Sequence, residues 1–252
     1  MIHDPKKKHA PAYSIIYRDE ALVAVNKPAG LAVLSGRGRV ESLIGQLEND
    51  PSLAGVKLLM LHRIDADTSG IMLFALTPDA QKNLSEQFRT RSITKEYLAL
   101  VRGTPLNESG STDLPIGVDP KDKTRMVIRG LEPKKSRTKW NVGERFAGVT
   151  LLKVYPVTGR RHQIRVHLKA IGYPLAVDLL YGGEEIKLSE FKRTFKLGKD
   201  QEERPLIARL TLHAHRITFA HPVTAKETTL EAPLPKDFRA TLEALRKWAR
   251  HG

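Results

Sequence analysis

The chain has 252 residues, 40% of them apolar and 28% charged, enough to bury a substantial core in one or two domains. Its 42 Lys and Arg against 28 Asp and Glu leave a formal charge of +14, a balance that favours a polyanionic partner, nucleic acid first, with a merely basic surface or membrane-surface binding as the alternatives. There is no cysteine, so disulfides, thiol nucleophiles and thiolate zinc sites are excluded, and any catalysis rests on oxygen and nitrogen groups.

The opening "MIHDPKKKHAPAY" carries a short Lys run without an apolar stretch of signal-peptide length, and no later segment approaches membrane-spanning length. A cytoplasmic location without a membrane partner is the default expectation, with residues 1–11 a basic mobile tail and residues 12–252 a single domain. "YSIIYRDEALVAVNKPAG" predicts two short strands joined at Arg18-Asp19-Glu20, the second ending at Asn26-Lys27-Pro28. In "TPDAQKNLSEQFRTR", Thr77 is an N-cap, Pro78 opens the helix, and Ala80, Leu84 and Phe88 share one face. "ITKEYLALV" alternates as a strand that places Ile93, Lys95, Tyr97, Ala99 and Val101 together.

Residues 113–139 hold eight Lys or Arg against four Asp or Glu, broken by Pro and Gly. They predict an exposed basic hairpin or loop, a solvated face in most proteins and a phosphate-contacting one in so basic a chain. In "TLLKVYPVTGRRHQIRVHLKAIGYP" a strand and a Thr158-Gly159 turn lead to a helix predicted to start near Gly159, with Ile164, Leu168 and Ile171 on its apolar face. Its first turns would carry Arg160, Arg161, His162, Gln163 and Arg165, cations beside free N–H groups that suit phosphate. A second basic stretch, residues 187–199, reads as an insertion that grips RNA or covers an edge. The closing "PKDFRATLEALRKWA" predicts a helix whose Phe238, Leu242, Leu245 and Trp248 pack on the core.

The nine histidines show no ligand spacing: His162 and His167 are five apart, and His213 and His215 lie in a strand-like run without an acidic partner motif. Walker, dinucleotide-binding and Gly-x-Ser-x-Gly signatures are absent as well, so neither a metal nor a cofactor is implied. What remains is carboxylate, Arg and Tyr chemistry around "LHRIDADTSG". Asp65 and Asp67, two residues apart, are too close in sequence to face each other across a scissile bond as glycosidase pairs do, which leaves a single Asp as nucleophile or base, or else a turn-capping Asp.

"HRIDADTSG" resembles the His-Arg-Leu-Asp-x-x-Thr-Ser-Gly motif of the RluA-type pseudouridine synthases, with Ile64 for the usual Leu. "NKPAGL", "KEYLALVRG", "TGRRHQIRVHLKAIGYP" and "LHAHRITFAHP" agree with the family in order and spacing, from about Tyr13 to Pro233. The resemblance implies an α+β fold with a large mixed, mainly antiparallel sheet, flanking helices and a central catalytic cleft. It also implies a cofactor-free isomerase that turns uridine in structured RNA into pseudouridine, with ribosomal RNA favoured over tRNA; a monomer is the default expectation. A noncatalytic RNA-binding protein or chaperone on the same scaffold is the alternative. By motif position, Asp65 is the catalytic carboxylate, Tyr97 packs on the target base, and Arg165 partners Asp65; attack on ribose, attack on base and proton removal stay open for Asp65. His62 and Arg63 are candidates to fill the gap left by the extruded base. Arg160, Arg161, Gln163, Lys121, Lys123 and Arg125 are candidates to hold the RNA. One departure is Val177 before Asp178, where relatives commonly have Gly.

Overall fold

The computed structural model describes residues 13–35, 42–198 and 201–249; the predicted tail, residues 1–11, lies outside them. In chain order the elements are β1 (Ser14–Arg18), β2 (Leu22–Lys27), α1 (Leu43–Glu48), β3 (Leu59–Met60), β4 (Ser69–Ala75), α2 (Pro78–Thr90), β5 (Thr94–Arg102), β6 (Ser109–Thr112), β7 (Ile116–Val118), β8 (Met126–Ile128) and β9 (Leu131–Lys134). They continue with β10 (Thr138–Phe146), β11 (Val149–Pro156), α3 (Gln163–Ala170), β12 (Leu212–Ala220), β13 (Glu227–Glu231) and α4 (Lys236–Trp248).

Ten strands form one sheet in the order β1-β2-β4-β12-β5-β11-β10-β6, with β13 added on β12 and β3 on β4. Pairing is antiparallel except between β12 and β4, where His213 lies opposite Ser69 and Ala214 opposite Gly70. The sheet is thus mixed and mainly antiparallel, as the resemblance implies. β12 enters from the last fifth of the chain and separates β4 from β5, so two strands close in sequence are held a strand apart.

Alternation along β5 feeds both faces of the sheet. Ala99 and Val101 join Leu152, Val154, Ile164 and Leu168 beneath α3, whereas Leu98 and Leu100 meet Phe238, Leu242 and Leu245 of α4. Trp248 departs from its predicted core role: it is 37% exposed, at the end of α4, with the Lys192 and Lys247 ammonium groups 4.7 and 4.9 Å from its ring. α2 follows its sequence signals. The Thr77 hydroxyl accepts from the Ala80 N–H at 3.2 Å, Ala80 and Leu84 are buried, and the helix closes on Arg91 in a left-handed conformation.

Two expectations are corrected. The basic segment 113–139 is not a simple hairpin or loop but contains a separate three-stranded sheet, β8-β7-β9, docked through Ile116 and Met126 onto Val166 of α3 and Tyr181. α3 begins at Gln163, four residues later than predicted, because His162 sits in a left-handed conformation (φ 54°, ψ 17°) that no helix interior tolerates. Residues 159–162 form the turn before it instead. Within the 187–199 segment, Glu190 accepts from Arg102 at the end of β5 at 2.6 Å, so this stretch covers the end of a strand. Val177, the departure from the family pattern, is buried and has no positive φ; glycine is not required there.

Candidate active site

Asp65 lies in the loop between β3 and β4, where its carbonyl accepts from the Thr68 N–H at 3.1 Å. Two anchors fix this loop. From below, Gly70 crosses β12 so closely that an added Cβ would fall 2.1 Å from the Ala214 carbonyl oxygen, with φ at +117°, so only glycine fits. From the side, the fully buried Lys27 donates to the carbonyls of Pro28, Leu31 and Ala66, each at 2.8 Å. Those three bonds use every donor of an ammonium and tie the "NKPAG" turn to the "HRIDAD" loop. Burial pulls the Lys27 pKa down to about 7, against the opposing charges of Asp67 and Asp65.

The Asp65 side chain is 27% exposed and lies at the junction of two cavities. One, of about 510 Å³, is lined by Tyr97, Lys95, His62, Ile164 and Leu212; the other, of about 680 Å³, by Asp67, Val33, Leu180 and Arg209. Asp65, Arg63, His162 and Arg165 belong to both, but Asp67 lines only the second. The two carboxylates share the second cavity, but only Asp65 also lines the first, beside Tyr97.

Tyr97 and Lys95 stand on one face of β5, as the alternation predicts, and both line the first cavity. Burial, with the charge of Asp65, drives the Tyr97 phenol well above its usual range, so it is neutral at any working pH. Burial likewise lowers Lys95.

Arg165 projects from the first turn of α3 and is buried. Its Nε and Nη2 form a fork on Asp178, at 2.8 and 2.7 Å, while Nη1 lies 3.8 Å from Asp65 Oδ2. The partnership with Asp65 is therefore real but secondary: Asp178 orients the guanidinium, which in turn faces Asp65 with its remaining nitrogen. Asp178 is itself held by the Leu180 and Tyr181 N–H groups, each 3.1 Å from Oδ1. Sequence reading passed over Asp178 and Tyr181 as functional residues, although both stand in the "VDLLYGG" block; the Arg165–Asp178 pair spans 13 residues and has no local signature.

The predicted RNA-contacting residues divide. Arg63 is exposed between the two cavities, with no hydrogen-bond or ion-pair partner among the described residues. Lys121 and Lys123 are exposed on the insertion, and Arg160 is exposed with Nε donating to the Lys135 carbonyl at 3.3 Å. Arg125 is half-buried over the Tyr181 ring at 5.6 Å. Arg161 is exposed, and its Nη2 donates to the Lys123 carbonyl at 2.8 Å. His62 is a fixed wall of the first cavity: Nε2 accepts from the Leu73 N–H at 3.0 Å, its ring lies 4.9 Å from Phe88, and burial lowers its pKa to about 3. Gln163 corrects the sequence expectation. It is buried, donating to the Arg137 carbonyl and Thr138 hydroxyl and accepting from the Thr158 hydroxyl and Arg160 N–H, so its amide is fully used in shaping the turn. Arg165 is likewise spent on carboxylates rather than open to phosphate.

Residues 21–170 match the family described as RNA pseudouridylate synthase. The chain is 37% identical over 235 residues to the ribosomal large subunit pseudouridine synthase D of Nitrosomonas europaea, covering 92% of this chain and 65% of that protein. It is also 37% identical over 242 residues to synthase C of Escherichia coli, covering 96% and 72%. Among solved structures, human RNA pseudouridylate synthase domain containing 4 superposes with a TM-score of 0.70 at 26% identity, covering 92% of each chain. With "HRIDADTSG" presented at the junction of the cleft and matches that run through the whole sheet, the chain belongs to the RNA pseudouridylate synthase family.

Proposed function

We propose that this protein isomerises uridine to pseudouridine in structured RNA, with large-subunit ribosomal RNA as the substrate, as the names of its relatives suggest for them. The observation that carries the reading is the placement of Asp65 at the junction of two cavities, facing Arg165 Nη1 at 3.8 Å, with Tyr97 in the same cavity. The reaction breaks the bond from N1 to the ribose, turns the uracil, and joins C5 to the same ribose carbon; the proton lost from C5 is balanced by one gained at N1. No redox change and no added group are needed. A carboxylate beside a guanidinium supplies an oxygen at the sugar–base linkage, and the neutral Tyr97 offers an aromatic face for the uracil.

The target must first leave its stack, at a cost of a few kcal/mol. Arg63, exposed between the two cavities with no partner among the described residues, would occupy the vacated position, and Lys121, Lys123, Arg125 and Arg160 would hold the backbone. The test maps pseudouridine in total RNA by an adduct that stops reverse transcription, in cells lacking the protein and in cells rescued with wild type, Asp65→Ala or Asp67→Asn. Sites lost in the deletion and restored by wild type and Asp67→Asn, but not by Asp65→Ala, are expected in large-subunit ribosomal RNA. Sites confined to tRNA would move the substrate, and an unchanged map would favour a noncatalytic RNA-binding protein.

A further inference from the structure

Tyr181 and Arg161 link the β7–β9 insertion to the residues around Asp65. The hydroxyl of Tyr181 accepts from the Met126 N–H at the start of β8, at 2.9 Å, and lies 2.7 Å from His162 Nδ1. Arg161, next to His162, donates to the Lys123 carbonyl on the insertion. The Tyr181 ring meanwhile lies under the Arg165 guanidinium, 4.9 Å from ring centroid to Cζ. One buried phenol therefore touches the insertion with its oxygen and the partner of Asp65 with its face.

We propose, on the basis of the synthase reading above, that Tyr181 is a positioning residue that makes the Asp65–Arg165 geometry depend on how the β7–β9 insertion is seated. The protonation pattern is consistent. A neutral imidazole can accept the phenol hydrogen at Nδ1, 2.7 Å away, and burial lowers the His162 pKa in that direction. His162 holds its left-handed backbone, a conformation disfavoured for a residue with a Cβ, where Tyr181 can reach it. The insertion docks through a small cluster, Ile116, Met126, Val166 and Tyr181, separate from the main core. A patch that small opens more readily than the sheet. Lys121 and Lys123 stand exposed on the same insertion, so RNA bound there would favour the seated form and with it the productive Arg165.

The experiment measures single-turnover rate and RNA affinity for wild type, Tyr181→Phe, Ile116→Ala and the double variant, using the RNA identified by the mapping. Tyr181→Phe keeps the ring under Arg165 and loses only the hydroxyl. Its rate is expected to fall about tenfold at saturating RNA, with affinity within twofold of wild type. Ile116→Ala, which loosens the docking without touching Asp65, is expected to lower the rate as well, and the double variant to be no slower than the slower single one. A wild-type rate in Tyr181→Phe, a loss confined to affinity, or losses that multiply in the double variant would each overturn the proposal. Hydrogen exchange across residues 124–128 in the wild-type protein gives a reading independent of variant folding: RNA is expected to slow it, and unchanged exchange counts against coupling. Absence of turnover by the wild type itself would instead remove the synthase reading.

Discussion

Arg165 shows how one side chain can serve two carboxylates of different purpose. The fork on Asp178 is short and bidentate, the geometry in which Arg and carboxylate bind most strongly, and it leaves Nη1 to face Asp65 from a fixed direction. A lysine carries the same charge on one nitrogen and cannot hold Asp178 while facing Asp65. Arg165→Lys is therefore expected to lower single-turnover rate by about a hundredfold or more, roughly 3 kcal/mol, with little loss of RNA affinity; a variant within threefold of wild type would show that the fork is not needed. Asp65 stood out in the sequence as a candidate because its neighbours Arg63, Thr68, Ser69 and Gly70 form a continuous motif. The partner Asp178 did not, since its role depends on a turn that brings it back to α3.

At the level of elements, the crossing of β4 and β12 carries the loop that holds Asp65. Gly70 permits the two backbones to touch, and Ser69 beside it is bonded to His213 Nδ1 on β12 at 3.0 Å. Gly70→Ala would place a methyl inside the Ala214 carbonyl and strain the backbone at φ +117°, so the strands must separate. The expected cost is about 3 kcal/mol or more, seen as a lowered denaturation midpoint together with lost turnover; a variant with wild-type stability would mean the loop can shift without harm. α2 was legible to its cap, because the cap rests on contacts within a few residues, whereas Ser69 and Gly70 prove to be the first residues of β4. That β12 inserts between β4 and β5 was not legible, since strand order is set by pairings across more than a hundred residues. The late start of α3 was missed for a related reason: the sequence period extends smoothly through His162, whose left-handed backbone accompanies its contact with Tyr181.

For the molecule as a whole, buried neutral histidines set the acid side of its stability. His213 is fully buried between Ser69 and the Ala232 carbonyl, and burial lowers its pKa to about 4. Below pH 6.5 the unfolded chain takes up a proton that the folded protein resists, so the stabilisation is complete above 6.5 and is lost as pH falls toward 4. Between pH 7.5 and 5 the His213 share is on the order of 2 kcal/mol. Thermal denaturation at the two pH values is expected to show a smaller drop for His213→Asn than for wild type; equal drops would show that His213 is not the group responsible. Among the described residues, no helix is long and apolar enough to cross a membrane.

By itself the sequence determined the chemistry-bearing loop, the face of β5 that carries Tyr97, the cap of α2 and the basic character of residues 113–139, because each of these follows from neighbours within one or two turns of chain. Tertiary structure alone decided that Asp178 orients Arg165, that Gln163 is consumed inside a turn, that Asp67 faces a different cavity from Tyr97, and that the basic segment is a small sheet resting on Tyr181. Those outcomes depend on which buried donors and acceptors meet after folding, and a buried polar group must find its partner wherever in the chain that partner lies.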